Sequence, residues 1–165
     1  MAQKDLNALF YEGLKDIYCA EQKILKALPK MARGVQSQQL TAAFEEHRDQ
    51  TEGHVERLQR VFELLGKRAQ AKTCPAIDGI IEEGEEILEA FKDQPAIDAG
   101  LLAAAQAVEH YEIARYGTLK RWATVLGMDE AADMLADTLS EEADTDEKLT
   151  ELADASVNAD AMAAE

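Results

Sequence analysis

The sequence predicts an all-α protein, and three observations carry that expectation. Ala, Leu, Glu, Asp, Lys and Gln dominate the 165 residues, all but Asp are among the better helix formers, and only three prolines and nine glycines interrupt them. Apolar residues recur at three- and four-residue steps over long stretches, as they do on the inner face of an amphipathic helix. With 47% hydrophobic side chains, the chain is long enough for one core and short for two, so a single domain over residues 1–165 is expected.

The first helix is expected from about Asp5 to Arg33 on the stripe Leu6, Phe10, Leu14, Ile17, Ile24 and Leu28, with Pro29 bending its last turn and Gly34 ending it. Ser37 suits the cap of a second helix, whose stripe of Leu40, Phe44, Leu58, Val61 and Leu65 runs to Gly66. Residues 67–74 carry no periodicity. Pro75 then opens a shorter connecting helix weakened by Gly79 and Gly84. "PAID" occurs at Pro75 and again at Pro95, each time ahead of a helical pattern, which suits a proline in a first turn. A fourth helix runs from about Ile97 to Leu126 and stops at Gly127. A fifth starts near Asp129, follows Leu135, Leu139, Leu149 and Leu152, and is expected to fray from about residue 156, leaving a core of about 5–157. Two antiparallel hairpins of long helices joined by a short crossover helix make the ferritin-like variant of the four-helix bundle. A helical-hairpin repeat or a partner-binding bundle fits the same pattern.

The formal net charge of -16, from 33 acidic and 17 basic residues, repels phosphate backbones and anionic membranes, so neither nucleic acid nor membrane is an expected partner. No basic start precedes an apolar run, and no window of about 18 apolar residues exists to span a bilayer. Cys19 and Cys74 form neither a metal-type pair nor a disulfide framework, and the chain reads as cytoplasmic and thiol-reduced.

Every long stripe is interrupted by polar residues near its middle. Glu21 stands between Ile17 and Ile24; His47, Thr51 and His54 stand between Phe44 and Leu58; Glu109 and Glu112 lie between Ala105 and Tyr116; Glu142 and Asp146 lie between Leu139 and Leu149. At a rise of about 1.5 Å per residue, a turn near Val35 sets Glu21 opposite about Asp49, and a turn near Gly127 sets Glu112 opposite Glu142 and Glu109 opposite about Thr145. The interruptions therefore share one depth. A single inward Glu or His is ordinarily a snorkelling or hydrogen-bonded edge residue, but coincidence on four helices needs another cause. Five carboxylates with no Lys or Arg on their stripes would each cost several kcal/mol to bury. Two divalent cations remove that cost, and carboxylates with imidazoles and no thiolate favour iron or manganese, with zinc in competition.

The segments "LKDIYCAEQKILKALPKMA", "FEEHRDQTEGHVERL", "AAAQAVEHYEIARYGTL" and "LSEEADTDEKLTELA" resemble the YciE/YciF group of bacterial ferritin-like proteins, over about residues 5–157. The run from Val108 to Leu119 is the most specific part. The resemblance implies a ferritin-like bundle, often a homodimer, linked to bacterial stress response and holding a rubrerythrin-like dimetal centre. It puts Glu21, His47, Glu109, Glu112 and Glu142 at the metal layer, with Asp146 a ligand or the support of one. Ferritin-like di-iron sites typically carry Glu-x-x-His on two helices, whereas this chain offers His47-x-x-Gln50 and Glu109-x-x-Glu112. Gln50 stands where similar proteins can have a glutamate, and a neutral amide bridges metals poorly. His54, on the same stripe as His47, completes the candidate set. His110 and Tyr111 lie off the inner stripe and read as surface or interface residues, while Tyr18 and Tyr116 lie near the layer, where they could hydrogen-bond ligands, with packing the expected role. The expected function is a dimetal oxidoreductase using dioxygen or peroxide, with its redox partner unidentified; the alternative is a structural bundle braced by metal.

Overall fold

A computed structural model describes residues 4–162. Its main helices are α1 (Leu6–Gly34), α2 (Gln38–Leu64), α3 (Pro75–Ala90), α4 (Ile97–Val125) and α5 (Asp129–Leu152). α1 with α2, and α4 with α5, form antiparallel hairpins; α1 also packs on α4 and α2 on α5, closing an all-α four-helix bundle. α3 is the crossover helix and lies against α4 and α1. Ile77 is its one fully buried residue, so it covers the bundle rather than building it. The expected stripes meet in the middle, where Phe10, Leu14, Ile17, Phe44, Leu58, Val61, Leu101, Leu119 and Leu135 exclude solvent. Among the described residues, no helix is long and apolar enough to cross a membrane.

The helix ends follow local chemistry. Asp5 caps α1 by accepting from the Ala8 amide at 3.0 Å, and Ser37 caps α2 by accepting from the Leu40 amide at 3.3 Å. α2 and α4 both finish in glycine turns. Gly66 (φ 63°) and Gly127 (φ 71°) take the left-handed conformation, with Lys67 N donating to Phe62 O and Met128 N to Ala123 O, each at 2.9 Å.

Two expectations about punctuation change. Gly34 is not a left-handed stop, since α1 runs through it and ends at Val35 in extended geometry. It is a close-approach position, where a Cβ would collide with Leu88 and press on Leu101 Cδ1 at 3.2 Å. Pro75 occupies the first turn of α3 as expected, but Pro95 lies in the turn before α4, outside that helix's first turn. Asp98 in that first turn accepts the Gln36 and Ser37 amides at 2.6 and 2.7 Å, tying the first hairpin's loop to the second hairpin. Pro29 sits inside α1, which remains helical on both sides of it.

The carboxy-terminal segment is more ordered than its composition suggests. A π-helical turn over Ala153–Val157 follows α5, and a short α6 (Asn158–Met162) follows that. Burial of Ala153 and Val157 against the bundle holds this segment helical, where fraying was expected from about residue 156. The last part of that expected tail, residues 163–165, lies outside the described residues.

Candidate metal centre

The polar interruptions of the four long helices converge. α1 supplies Glu21, α2 supplies His47 and His54, α4 supplies Glu109 and Glu112, and α5 supplies Glu142. Glu21, His54, Glu112 and Glu142 are 0% exposed, Glu109 is 1% and His47 is 3%. They form two groups whose candidate ligand atoms lie within 4.8 Å of one another: His47, Glu109, Glu112 and Glu142 in one, and Glu21, His54 and Glu142 in the other. Glu142 belongs to both. Its Oε1 is 3.0 Å from His54 Nδ1 and its Oε2 is 3.9 Å from His47 Nε2, so the two oxygens address different histidines.

These atoms are close without satisfying one another. His47 Nε2 is 3.0 Å from Glu109 Oε1, and His54 Nδ1 is 3.5 Å from Glu21 Oε1, yet neither approach is aligned as a hydrogen bond. Among the described residues, the buried side-chain oxygens and nitrogens that lack any hydrogen-bond partner all belong to these six side chains, and both oxygens of Glu112 and of Glu142 are among them. Buried polar atoms are normally paired, and an orphaned cluster of lone pairs at one depth is what a bound cation satisfies. Four carboxylates, two imidazoles and no thiolate make a donor set suited to iron or manganese, which zinc also accepts. The residues fit a pair of divalent metals.

Without a cation the electrostatics are costly. Burial pushes the Glu109 carboxyl up to about 8, with Glu142 adding to the shift and His47 opposing it. Burial likewise raises Glu112 well above the usual carboxylate range, aided by repulsion from Glu142, Glu21 and Glu109. Burial also works against the Glu142 anion and against both imidazolium ions. His54 and His47 nonetheless hold Glu142 below the usual carboxylate value. Glu109 and Glu142 lift His47 to about 9, and Glu142 and Glu21 lift His54 to about 10. The layer is a set of like charges sharing protons, which divalent cations would displace.

A surrounding layer orients the cluster. His54 Nε2 is 2.7 Å from Glu141 Oε2, on the ring edge facing away from the cluster. Arg57 grips Glu141 with both terminal nitrogens, at 3.0 and 3.1 Å, and also donates to Thr138 Oγ1 at 2.6 Å. Tyr116 donates its hydroxyl to Glu21 Oε1. Burial raises the Tyr116 phenol well above its usual range and keeps it a donor. Thr51 Oγ1 donates to the His47 carbonyl at 2.8 Å, turning its own polarity away from the centre.

Of the eight candidate ligands, the structure gathers six and leaves two outside. Asp146 accepts from Gln106 Nε2 at 3.2 Å and lies 3.1 Å from the exposed His110, one turn beyond Glu142 and on the outer side of the α4–α5 seam. Gln50 is half-buried between α2 and α5 and accepts from Thr145 Oγ1 at 3.2 Å. The imidazole beside Glu21 is that of His54, about a turn further along α2 than the expected neighbour Asp49. Tyr111 is partly buried: its hydroxyl donates to Asp16 Oδ2 at 2.8 Å and lies 3.0 Å from Cys74 Sγ. Sequence reasoning missed Glu141 and Arg57, and of the two roles it left open for Tyr116 the structure shows the hydrogen bond to Glu21. The signal for Arg57 was its place three residues after His54 on α2, and for Glu141 its adjacency to Glu142.

A protein family described as "Domain of unknown function (DUF892)" matches residues 5–162. Protein YciF of Escherichia coli (strain K12) is 43% identical over 159 residues, which span 96% of each chain. The crystal structure of the E. coli stress protein YciF aligns with a TM-score of 0.89 at 42% identity, covering 94% of this chain and 99% of that one. YcfI of Rhodopseudomonas palustris, provisionally described as a structural protein, aligns with a TM-score of 0.87 at 44% identity over 88% of this chain and 93% of that one. A Xanthomonas campestris protein at 24% identity and a TM-score of 0.73, covering 94% of this chain and 96% of that one, shares the fold.

Proposed function

The chain belongs to the DUF892 family, and from that premise we propose that it is a ferritin-like stress-response protein, homodimeric, that holds two divalent metals, iron foremost, for reaction with dioxygen or peroxide. The observation that carries the reading is Glu142, whose two unpartnered oxygens face two histidines on the same neighbouring helix. His47, Glu109 and Glu112 would hold one metal, Glu21 and His54 the other, with Glu142 between them. Bound iron would supply one-electron chemistry and open positions for an oxidant. The protein's own contribution is positional and electrostatic. Arg57 and Glu141 fix the His54 ring so that Nδ1 faces inward, Tyr116 holds Glu21, and the apolar layers above and below keep water from the carboxylates. The stress-protein description of YciF supports a protective role in the cell.

Metal-free protein given Fe(II) should bind about two equivalents and accelerate its oxidation, and a Glu112→Ala variant should do neither. Binding without accelerated oxidation contradicts the redox reading. It would favour a second one, in which the metal only braces the core, supported by the structural description that YcfI carries. Under that reading, chelation lowers thermal stability and no oxidant is consumed. Sizing the native particle separates both from iron storage, because a dimer has no enclosed space for mineral.

A further inference from the structure

Between α1, α3 and α4 lies a pocket walled by Ile24, Leu28, Ile80, Leu88, Ala104 and Val108. Lys30 and Glu85, about half exposed and paired at 2.7 Å, stand at its outer rim. At its inner end are His47 and Glu109, both buried members of the cluster and both carrying atoms without hydrogen-bond partners. The pocket is an apolar passage that stops at the candidate metal centre.

Its volume and chemistry restrict what it takes. A cavity of about 40 Å³ holds a molecule of two or three atoms and is far below the ~150 Å³ that accommodates benzene. Walls without donors or acceptors give water few partners, and they penalise hydrogen peroxide for the same reason. Small residues keep the space open: a Cβ added at Gly84 would stand 3.5 Å from the Ala104 Cβ. The roof is α3, which anchors in the core through Ile77 alone. On another side His47 lines a polar crevice between α2 and α5, of about 70 Å³, with Gln50, Thr145, Asp144 and the Glu46–Lys148 ion pair. That crevice offers the oxygen ligands and hydrogen bonds that a hydrated cation or peroxide uses along its length; the α1–α3–α4 pocket offers neither between its rim and the cluster.

We infer that the α1–α3–α4 pocket is the binding site and access route for dioxygen, delivering it to the edge of the cluster formed by His47 and Glu109. This rests on the redox reading of the centre and narrows its oxidant to an apolar one.

Xenon, an apolar atom of similar size, tests the site without reference to activity. Crystals pressurised with xenon should show it between Ile80, Leu88, Ala104 and Val108, and Ala104→Leu should exclude it. Ala104→Leu should keep the metal content of the parent, lose most of its dioxygen-driven oxidation of bound Fe(II), and retain oxidation driven by hydrogen peroxide. Gly84→Ala, which adds one methyl at ordinary contact distance and suits a helix, should slow the dioxygen reaction by less and serves if the leucine variant does not fold. An empty pocket under xenon, a dioxygen rate untouched by filling, or equal slowing with both oxidants overturns the inference and leaves the redox reading standing. Parent protein that oxidises bound Fe(II) with neither oxidant overturns that reading, and the pocket's role falls with it even where xenon binds.

Discussion

His54 Nε2 lies 2.7 Å from Glu141 Oε2, while Nδ1 of the same ring faces Glu21 and Glu142. Adjacent residues of α5 thus approach the imidazole from its two edges. A proton on Nε2 donated to Glu141 leaves the Nδ1 lone pair directed at the cluster, the arrangement that ligating histidines adopt. Arg57 holds Glu141 through two hydrogen bonds, and the pair keeps Glu141 below the ordinary carboxylate range despite partial burial, so Glu141 stays an acceptor.

Replacing Glu141 with Gln should therefore weaken metal binding with the fold intact. Loss of an outer partner of a ligating histidine costs about 10–100-fold in affinity. Titration calorimetry with Mn(II), beside circular dichroism of the variant, measures both quantities. An unchanged affinity would mean that the Glu141 contact does not orient His54.

Glu112→Gln should have opposite effects in the two forms. In metal-free protein the Glu112 carboxyl is buried among Glu142, Glu21 and Glu109, and a neutral amide removes one source of that repulsion. The metal-free melting temperature should rise, and the further rise on adding metal should shrink. Differential scanning calorimetry with and without chelator reads both changes in one protein.

The metal-free protein should lose stability as pH rises from about 5 to about 9. Glu109, raised from 4.5 to about 8, disfavours the folded state increasingly above pH 4.5. His47 and His54, raised from 6.5 to about 9 and about 10, stabilise fully below 6.5 and lose that contribution as pH climbs through their folded values. Glu142, lowered by the histidines, keeps its contribution above 4.5 and loses it only as pH falls through its folded value. Every contribution that changes in the window runs the same way. Metal loading should reverse the trend, because cations compete with protons for the same atoms. Melting curves of both forms across this range provide the check, and parallel profiles would contradict the account.

Asp146→Asn and Gln50→Ala should leave metal stoichiometry unchanged. Asp146 is engaged with Gln106 and His110, and Gln50 with Thr145, all outside the cluster. Metal analysis of the two purified variants tests this; loss of one equivalent in either would restore that residue as a ligand.

The six clustered residues were legible because each interrupts an apolar stripe at a depth shared across four helices, and helix periodicity carries that signal without tertiary information. Asp146 continues the α5 spacing but lies at the edge of a stripe that Leu149 keeps inward, and its carboxylate engages Gln106 and His110 instead of joining the cluster. Gln50 entered through motif analogy, at the third place after His47; the buried cluster instead brings in His54 at the seventh place, which keeps both imidazoles on one face two turns apart. Glu141 and Arg57 carried no signal beyond their closeness in sequence to Glu142 and His54, because surface-type charges on two separate helices acquire meaning only when packing sets them beside His54. Gly34 illustrates the same limit in the fold, since its glycine answers to Leu88 and Leu101 rather than to its own helix end.

The buried layer is proposed to hold two metals, one on either side of Glu142. Elemental analysis of protein purified without chelator, with anomalous diffraction at the metal edges of its crystals, tests this most directly. Two anomalous peaks are expected, one among His47, Glu109, Glu112 and Glu142 and one among Glu21, His54 and Glu142. Ordered water in the layer with no anomalous signal, and no bound metal in solution, would contradict it.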